Sequence, residues 1–214
     1  MPYTRRHPIP FKSISRTRII PERYRRYRRP RIEYEGNWLL TILRIPVQSK
    51  ESGIPFTTVP IGIITNNEII ISVCYHKTEL LPDFIRYSRR KELVVRHKYD
   101  LILRLIHSSA VWFLKYLKQI NNEVARAEKA LEKSIRNEDL LRLMKLEKSM
   151  VYFNTSIRGN EVMLSKLQSI FQEPMYMDAE LLEDVETELK QAHLTVNIYS
   201  DILTGTMDAF ASII

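Results

Sequence analysis

Three long amphipathic helices are predicted over the C-terminal half of the chain, because apolar residues recur there at alternating steps of three and four. In the first helix this spacing continues unbroken from Leu103 to Leu131, which is typical of a long helix packed against others. The residues expected on its buried face are Leu103, Ile106, Ala110, Phe113, Leu117, Ile120, Val124, Ala127 and Leu131.

The second helix is predicted between Asn137, a residue type that caps helix N-termini, and Pro174, which cannot continue a helix. A single polar residue, Asn160, interrupts its apolar face. The other residues expected on that face are Leu143, Leu146, Met150, Phe153, Ile157, Leu164, Leu167 and Phe171.

The third helix is predicted to begin near Asp178, with Glu183 and Asp184 in its early turns, where acidic residues suit the helix dipole. Neither a capping residue nor a basic last turn closes it, and the chain ends on an apolar run. We therefore expect this helix to continue past Ile214. Its buried face is expected to contain Leu182, Val185, Leu189, Ala192, Val196, Tyr199, Leu203, Met207 and Phe210.

Before the helices, β-branched and aromatic residues form short runs that are typical of strands. Asn66 and Asn67 separate two of these runs and predict a two-residue hairpin turn, because Asn tolerates positive φ. Cys74 is expected inside one strand as a small buried side chain. The runs are Trp38–Ile45, which Pro46 is expected to end, then Thr57–Thr65 and Glu68–Tyr75, followed by a short helix at Leu80–Lys91.

These patterns together predict an α+β fold, in which a small α/β sheet domain precedes three long antiparallel helices, the last of them truncated. The chain divides into four parts. They are a basic, irregular leader (1–31), the α/β domain (32–95), two long packed helices (96–175) and the third helix (176–214).

Positive charge is concentrated at the N-terminus. The 214-residue chain has a formal net charge of +8, and residues 1–31 contain eleven of its 33 Lys and Arg residues and one acid, Glu22. The remaining residues are nearly neutral. Five prolines and the repulsion between arginines predict extended or irregular chain in this leader.

The leader has two interpretations. Its interleaved Arg and Tyr residues at 23–29 would suit nucleic acid, with guanidinium groups on phosphates and tyrosines stacked on bases. The alternative is a solvated segment, or one that lies on an acidic partner surface. We favour the alternative, because the rest of the chain contains no recognisable nucleic-acid-binding module.

The sequence gives no support for an enzyme. It contains no glycine-rich phosphate loop and none of the motifs GxSxG, HExxH or CxxC, and its five histidines are scattered. The single cysteine excludes an internal disulfide. Neither a membrane-spanning apolar stretch nor a secretory signal is present in this sequence.

The acidic residues of the third helix are the best candidates for a cation site. Asp184 and Glu188 are four residues apart and therefore share one face, and Asp201 and Asp208 also lie off the apolar face. Hard cations such as Mg²⁺ prefer carboxylate and water oxygens. Asp208 lies within an apolar stretch, where a charge is costly unless it serves a site or a water-filled axis.

The sequence resembles the CorA family of divalent-cation transporters over residues 29–214. The matching features include Arg29-Pro30-Arg31-Ile32-Glu33, leading into Trp38-Leu39-Leu40-Thr41-Ile42-Leu43, and then the hairpin and the long helices. The most specific match is the segment 199–214, YSDILTGTMDAFASII, which resembles the cytoplasmic end of the family's stalk helix just before the first membrane span.

This resemblance implies a homopentamer in which Mg²⁺, or Co²⁺ or Zn²⁺, binds between cytoplasmic domains and stabilises the closed state. Asp184 matches the interface carboxylate of the stalk helix, Glu188 is one turn further on, and Glu22 is the implied partner on the neighbouring subunit. The implied pore-axis residues are Asp208, Thr204 and Asp201.

The resemblance also implies a location on the cytoplasmic side of the cell inner membrane. The family's Gly-Met-Asn motif and two membrane spans do not occur in this sequence, and its α/β region is shorter than usual. Transport is therefore expected to require membrane spans that would follow Ile214. The alternatives are a zinc- or cobalt-transporting relative with the same fold, and a helical scaffold or adaptor that binds nucleic acid or acidic lipid through its leader.

Overall fold

The computed structural model describes residues 29–49, 53–66, 69–93, 98–133, 136–170 and 178–213. Over these residues, strands are followed by helices, and the predicted α+β fold is confirmed. The elements are β1 (Arg31–Glu35), β2 (Trp38–Gln48), β3 (Phe56–Thr65), β4 (Ile70–Val73), α1 (Leu80–Arg90), α2 (Lys98–Lys133), α3 (Asn137–Ile170) and α4 (Ala179–Ile213).

The strands form one antiparallel sheet in the order β1-β2-β3-β4. Strand β1 was not predicted, and it joins β2 through a two-residue turn in which Gly36 has a φ of +56°. The predicted two-residue turn at Asn66 and Asn67 is wrong, because Thr65 pairs with Ile70 and the connection is therefore longer. Asn66 stabilises this connection, since its Oδ1 accepts a hydrogen bond from the Ile69 amide at 2.7 Å.

Pro46 does not end β2, contrary to the prediction, and the strand continues to Gln48. Antiparallel neighbours alternate between hydrogen-bonded and non-hydrogen-bonded pairs. Pro60 has no N–H to donate, so its pair with Arg44 across the sheet is a non-hydrogen-bonded pair. Pro46 faces Thr58 two positions further on, and it therefore occupies the same kind of pair. Pro46 also lies beyond the part of β2 that pairs with β1, and a proline is tolerated at such an open edge.

The three long helices are packed as neighbours in alternating directions. Helices α2 and α3 are antiparallel, since Phe113 packs edge-on against Phe153 with ring centroids 5.0 Å apart, while Glu123 pairs with the earlier residue Arg142. Helices α3 and α4 are also antiparallel. Their cross-contacts are Asn154–Asn197 at 2.7 Å, Glu161–His193 at 2.9 Å and Gln168–Glu186 at 2.5 Å.

The predicted apolar faces form the core. Every predicted residue of the α2 face is buried, and so is every described residue of the α3 face, including Asn160. On α4, five of the predicted residues are buried and the other four are partly buried. Buried side chains of the sheet and the helices belong to one continuous core.

The predicted helix starts are close to the observed ones. Asp178 does cap α4, because its Oδ1 accepts a hydrogen bond from the Leu181 amide at 3.2 Å. Asn137, in contrast, is the first residue of α3 rather than its cap. Pro174 and Phe171 lie outside the described residues. Cys74 immediately follows β4 and is half-buried, so its predicted place inside a strand is wrong.

Helix α3 contacts the sheet through polar groups as well as apolar ones. Asn160 Oδ1 accepts from the Arg44 amide at 3.0 Å, and its Nδ2 donates to the Arg44 carbonyl at 2.8 Å. The hydroxyls of Ser156 and Thr58 lie 2.7 Å apart. Gly159 approaches Pro30 so closely that a Cβ at this position would lie 2.8 Å from the Pro30 Cγ.

Candidate functional site

Helix α4 presents a broad face to solvent that carries all the acidic residues predicted on it. Its opposite face is buried through Val185, Leu189 and Leu203. At about 100° per residue, Asp184 and Glu188 fall on one side of the solvent face. The residues of the predicted pore-axis set lie about 100° or more away from that pair. The candidate residues therefore occupy two separate lines along the helix.

Asp184 and Glu188 form the first line. Asp184 is exposed and Glu188 is half-buried. Within the described part of the chain, neither carboxylate has a hydrogen-bond or ion-pair partner. One helical turn separates them, so their side chains can reach a common hydrated cation. Two carboxylates leave most positions of such an ion to water or to other groups.

Asp201, Thr204 and Asp208 form the second line, and all three are exposed. The apolar surroundings predicted for Asp208 do not bury its carboxylate in the single chain. Its backbone carbonyl accepts a hydrogen bond from the Ser212 hydroxyl at 2.9 Å. Burial of the Asp208 carboxylate would therefore cost free energy only if another molecule covered this face of α4.

Glu22, the predicted partner of Asp184 from a neighbouring subunit, lies outside the described residues. Among the residues that the structure describes, no three His, Cys, Asp or Glu side chains are grouped so that they could hold a metal ion.

An exposed apolar stripe lies between the two acidic lines, and it was not predicted from the sequence. Leu194, Ile198 and Ile202 follow each other at steps of four and remain 54%, 55% and 52% exposed. At about 100° per residue, this stripe lies between the Asp208 side and the Asp184 side of the helix. Gly205 and Ala209, both small and exposed, continue it toward the C-terminus. These residues recur at helical spacing in the sequence. The larger set of apolar residues on the buried face makes this second apolar row hard to distinguish from the sequence alone.

Both flanks of α4 are joined to the rest of the protein by polar contacts. Thr206 donates to Glu128 of α2 at 2.9 Å, and His193 pairs with Glu161 of α3. The histidine thus has a structural partner. These contacts join α4 to α2 and α3 on either side of its buried face.

Within the described residues, no helix is both long and apolar enough to cross a membrane.

The chain resembles known transport proteins in sequence. A family described as "CorA-like Mg2+ transporter protein" matches residues 18–214. The cobalt/magnesium transport protein CorA of Methanocaldococcus jannaschii is 23% identical over 189 residues, which are 86% of this chain and 58% of that protein. The chain therefore spans little more than half the length of this relative.

Solved structures share the fold. The complete CorA magnesium transporter of M. jannaschii matches with a TM-score of 0.74 at 22% identity, covering 86% of this chain and 58% of that one. The soluble domain of the same protein gives 0.72 at 22% identity, with coverages of 84% and 72%. The ZntB cytoplasmic domain of Vibrio parahaemolyticus gives 0.68 at 14% identity, with coverages of 87% and 73%.

The family match covers the sheet and all the described helices, and the structural matches reproduce their arrangement. The chain belongs to the CorA-like Mg²⁺ transporter family.

Proposed function

We propose that this chain is the ion-sensing, regulatory part of a divalent-cation transport protein, and that Mg²⁺ binds where α4 of one subunit meets a neighbouring subunit. The observation that carries the proposal is the solvent face of α4, where an apolar stripe runs between two lines of carboxylates. Asp184 and Glu188 are the proposed ligands on this chain, and Glu22 of a second subunit is the proposed partner.

The mechanism follows from charge. Carboxylates that face each other across an interface repel, so the assembled state is disfavoured without a cation. A bound Mg²⁺ replaces this repulsion with attraction and shifts the equilibrium toward the closed assembly. When the ion concentration falls, the subunits separate at this interface. The ion concentration thereby regulates the conformation of the whole protein.

The exposed stripe supports a homo-oligomer. Leu194, Ile198 and Ile202 are each more than half exposed in the single chain, and a contiguous apolar row of this kind marks an interaction surface. We propose a pentamer in which these stripes pack against neighbouring subunits around a central axis. Asp201, Thr204 and Asp208 would then face that axis and line the route of the ion.

Transport itself is proposed for a longer protein, in which α4 continues into a membrane span and this part lies on the cytoplasmic side of the inner membrane. The transported ion is proposed to be Mg²⁺. Co²⁺ is the alternative that the name of the M. jannaschii relative favours. Carboxylate ligands favour Mg²⁺ over softer ions such as Zn²⁺, which prefers nitrogen and sulfur donors.

The test measures sedimentation and thermal midpoint of the chain with and without millimolar Mg²⁺. We expect Mg²⁺ to raise the midpoint and the sedimenting mass, and the double variant Asp184→Asn/Glu188→Gln to lose both responses. A variant with the same change in charge, Glu132→Gln/Glu147→Gln, should retain them. Equal responses in both variants, or no response to any divalent ion, would contradict the proposal. Parallel titrations with Co²⁺ and Zn²⁺ rank the ions.

A further inference from the structure

One half of one sheet face is apolar and open to solvent. Three apolar side chains form a row across the sheet, because Leu40 of β2 pairs with Ile64 of β3, which pairs with Ile71 of β4. Leu40 and Ile64 are half-buried, whereas Ile71 is 44% exposed. Val73 lies two positions along on the same face, since side chains alternate along a strand, and it is equally exposed.

The open region extends beyond this row. Trp38 of β2 lies on the same face by strand alternation and is 43% exposed. Ile69, which immediately precedes β4, is 50% exposed. We call Trp38, Leu40, Ile64, Ile69, Ile71 and Val73 the sheet patch. Its size and its position at an edge strand make it a surface that a stable protein normally covers.

Helix α3 covers only the other half of this face. Thr58 and Phe56 have the same alternation along β3 as Ile64, so their side chains point to the same side. Thr58 contacts Ser156 of α3, and Phe56 packs on Phe153 with ring centroids 6.4 Å apart. The sheet patch begins where this contact with α3 stops.

We propose that the part of this chain before Arg29 covers the sheet patch. The point at which that part joins the described structure supports this. Pro30 packs against Gly159 of α3, so the chain enters β1 from the side of the sheet on which α3 lies. That is also the side of the sheet patch. The preceding residues therefore start next to the surface that we propose they cover.

The length and composition of this segment also fit. Crossing from β1 to β4 requires three strand spacings, about 14 Å. The 28 residues before Arg29 can reach several times that distance, at about 3.3 Å for each extended residue. Residues 9–20 contain the aliphatic and aromatic side chains that would fill the patch. They are Ile9, Phe11, Ile14, Ile19 and Ile20.

Charge complements the apolar contact. Glu33 and Glu35 are exposed and lie on the same face of β1 as the patch, at its edge, although Glu33 already pairs with Arg31. The arginines at 23–29 connect the apolar part of the leader to β1 and would pass close to these carboxylates. A second copy of the folded region would also bring basic residues, at the end of α1 (Arg89 and Arg90). Only the chain's own leader is joined to β1 beside the patch, so we favour the leader as the occupant.

The test is amide hydrogen exchange on the complete chain. We expect amides of residues 9–20 to exchange at least about tenfold more slowly than in the unfolded chain. The double variant Ile71→Asp/Val73→Asp should remove this protection, because it places two charges in the contact. The control Val162→Asp, at an exposed apolar residue of α3, should leave it unchanged. Full-speed exchange of residues 9–20 in the unaltered chain would overturn the proposal.

A cross-link separates the leader from a second copy as the occupant. In a Cys74→Ser background, the pair Phe11→Cys and Ile71→Cys should form a disulfide within one chain on mild oxidation. The pair Phe11→Cys and Val162→Cys should form it much more slowly. Disulfides formed only between chains, or formed equally by both pairs, would contradict the proposal.

Discussion

Asn160 of α3 satisfies both backbone groups of Arg44 in β2, accepting from its amide at 3.0 Å and donating to its carbonyl at 2.8 Å. These two groups lie on the edge of β2 beyond its last pair with β1, Ile42–Arg31. The amide side chain therefore does what a neighbouring strand would do. It also explains how a polar residue with no exposed surface is tolerated on the buried face of α3.

Replacing Asn160 with Leu should destabilise the protein by about 2–4 kcal/mol, because it removes both hydrogen bonds between the Asn160 side chain and the Arg44 backbone. Asn160→Asp keeps an acceptor for the Arg44 amide but cannot donate to its carbonyl when ionised, so it should be destabilising at neutral pH as well. Urea unfolding measures both. Asn154→Ala, at a half-buried polar contact between helices, serves as the control and should cost less. Equal stability of Asn160→Leu and the unaltered chain would contradict this role.

Gly159→Ala should destabilise the protein by up to about 2 kcal/mol, because overpacking costs about 1–3 kcal/mol and Ala gains only about 0.5–1 kcal/mol over Gly inside a helix. The added Cβ would lie 2.8 Å from Pro30 Cγ and 3.0 Å from its Cδ, so α3 or the start of β1 must move. Gly205→Ala is the matched control on α4, where no atom lies within 4 Å of the added Cβ. That substitution should stabilise the helix by about 0.5–1 kcal/mol. Thermal or urea unfolding distinguishes the two, and a stabilising Gly159→Ala would disprove the close approach.

Leu203→Ala should cost about 2–4 kcal/mol, because the side chain is fully buried against the neighbouring helices. Its neighbour in sequence, Ile202, is 52% exposed, so Ile202→Ala should change the free energy of unfolding by less than about 1 kcal/mol. Unfolding is measured without divalent ions and at low protein concentration, where association is weakest. The opposite ranking would mean that α4 is rotated about its axis.

Cys74 should react slowly with alkylating reagents at neutral pH. Burial raises the pKa of its thiol, so the reactive thiolate is scarcer than in an exposed cysteine. The same shift makes the free energy of unfolding fall as the pH rises past the ordinary thiol value of about 8.5 toward the folded value. The rate of iodoacetamide modification between pH 7 and about 9.5 tests this, with the urea-unfolded chain as the reference. Equal rates in the folded and unfolded chains would contradict it.

The sequence by itself determined the helices and their buried faces. Apolar residues that recur every three to four positions lie on one side of a long helix, so the main buried faces of α2, α3 and α4 follow from this spacing. Asp178 was identified as a cap for the same local reason, because a side-chain oxygen needs only the next turn of backbone. The acidic residues of α4 were also identified from the sequence pattern, and the family resemblance implied specific roles for them, which remain predictions.

Only the tertiary structure decided where the strands end and what the polar exceptions do. From local sequence, Pro46 predicts the end of a strand. It is tolerated within β2 because β1 does not extend far enough to pair with this part of β2. Asn160 looks like a flaw in an apolar face until Arg44, 116 positions away in the chain, is placed next to it. The exposure of Leu194, Ile198 and Ile202 likewise depends on which side of α4 its neighbours occupy. Such properties arise from contacts between distant residues, and no local pattern encodes them.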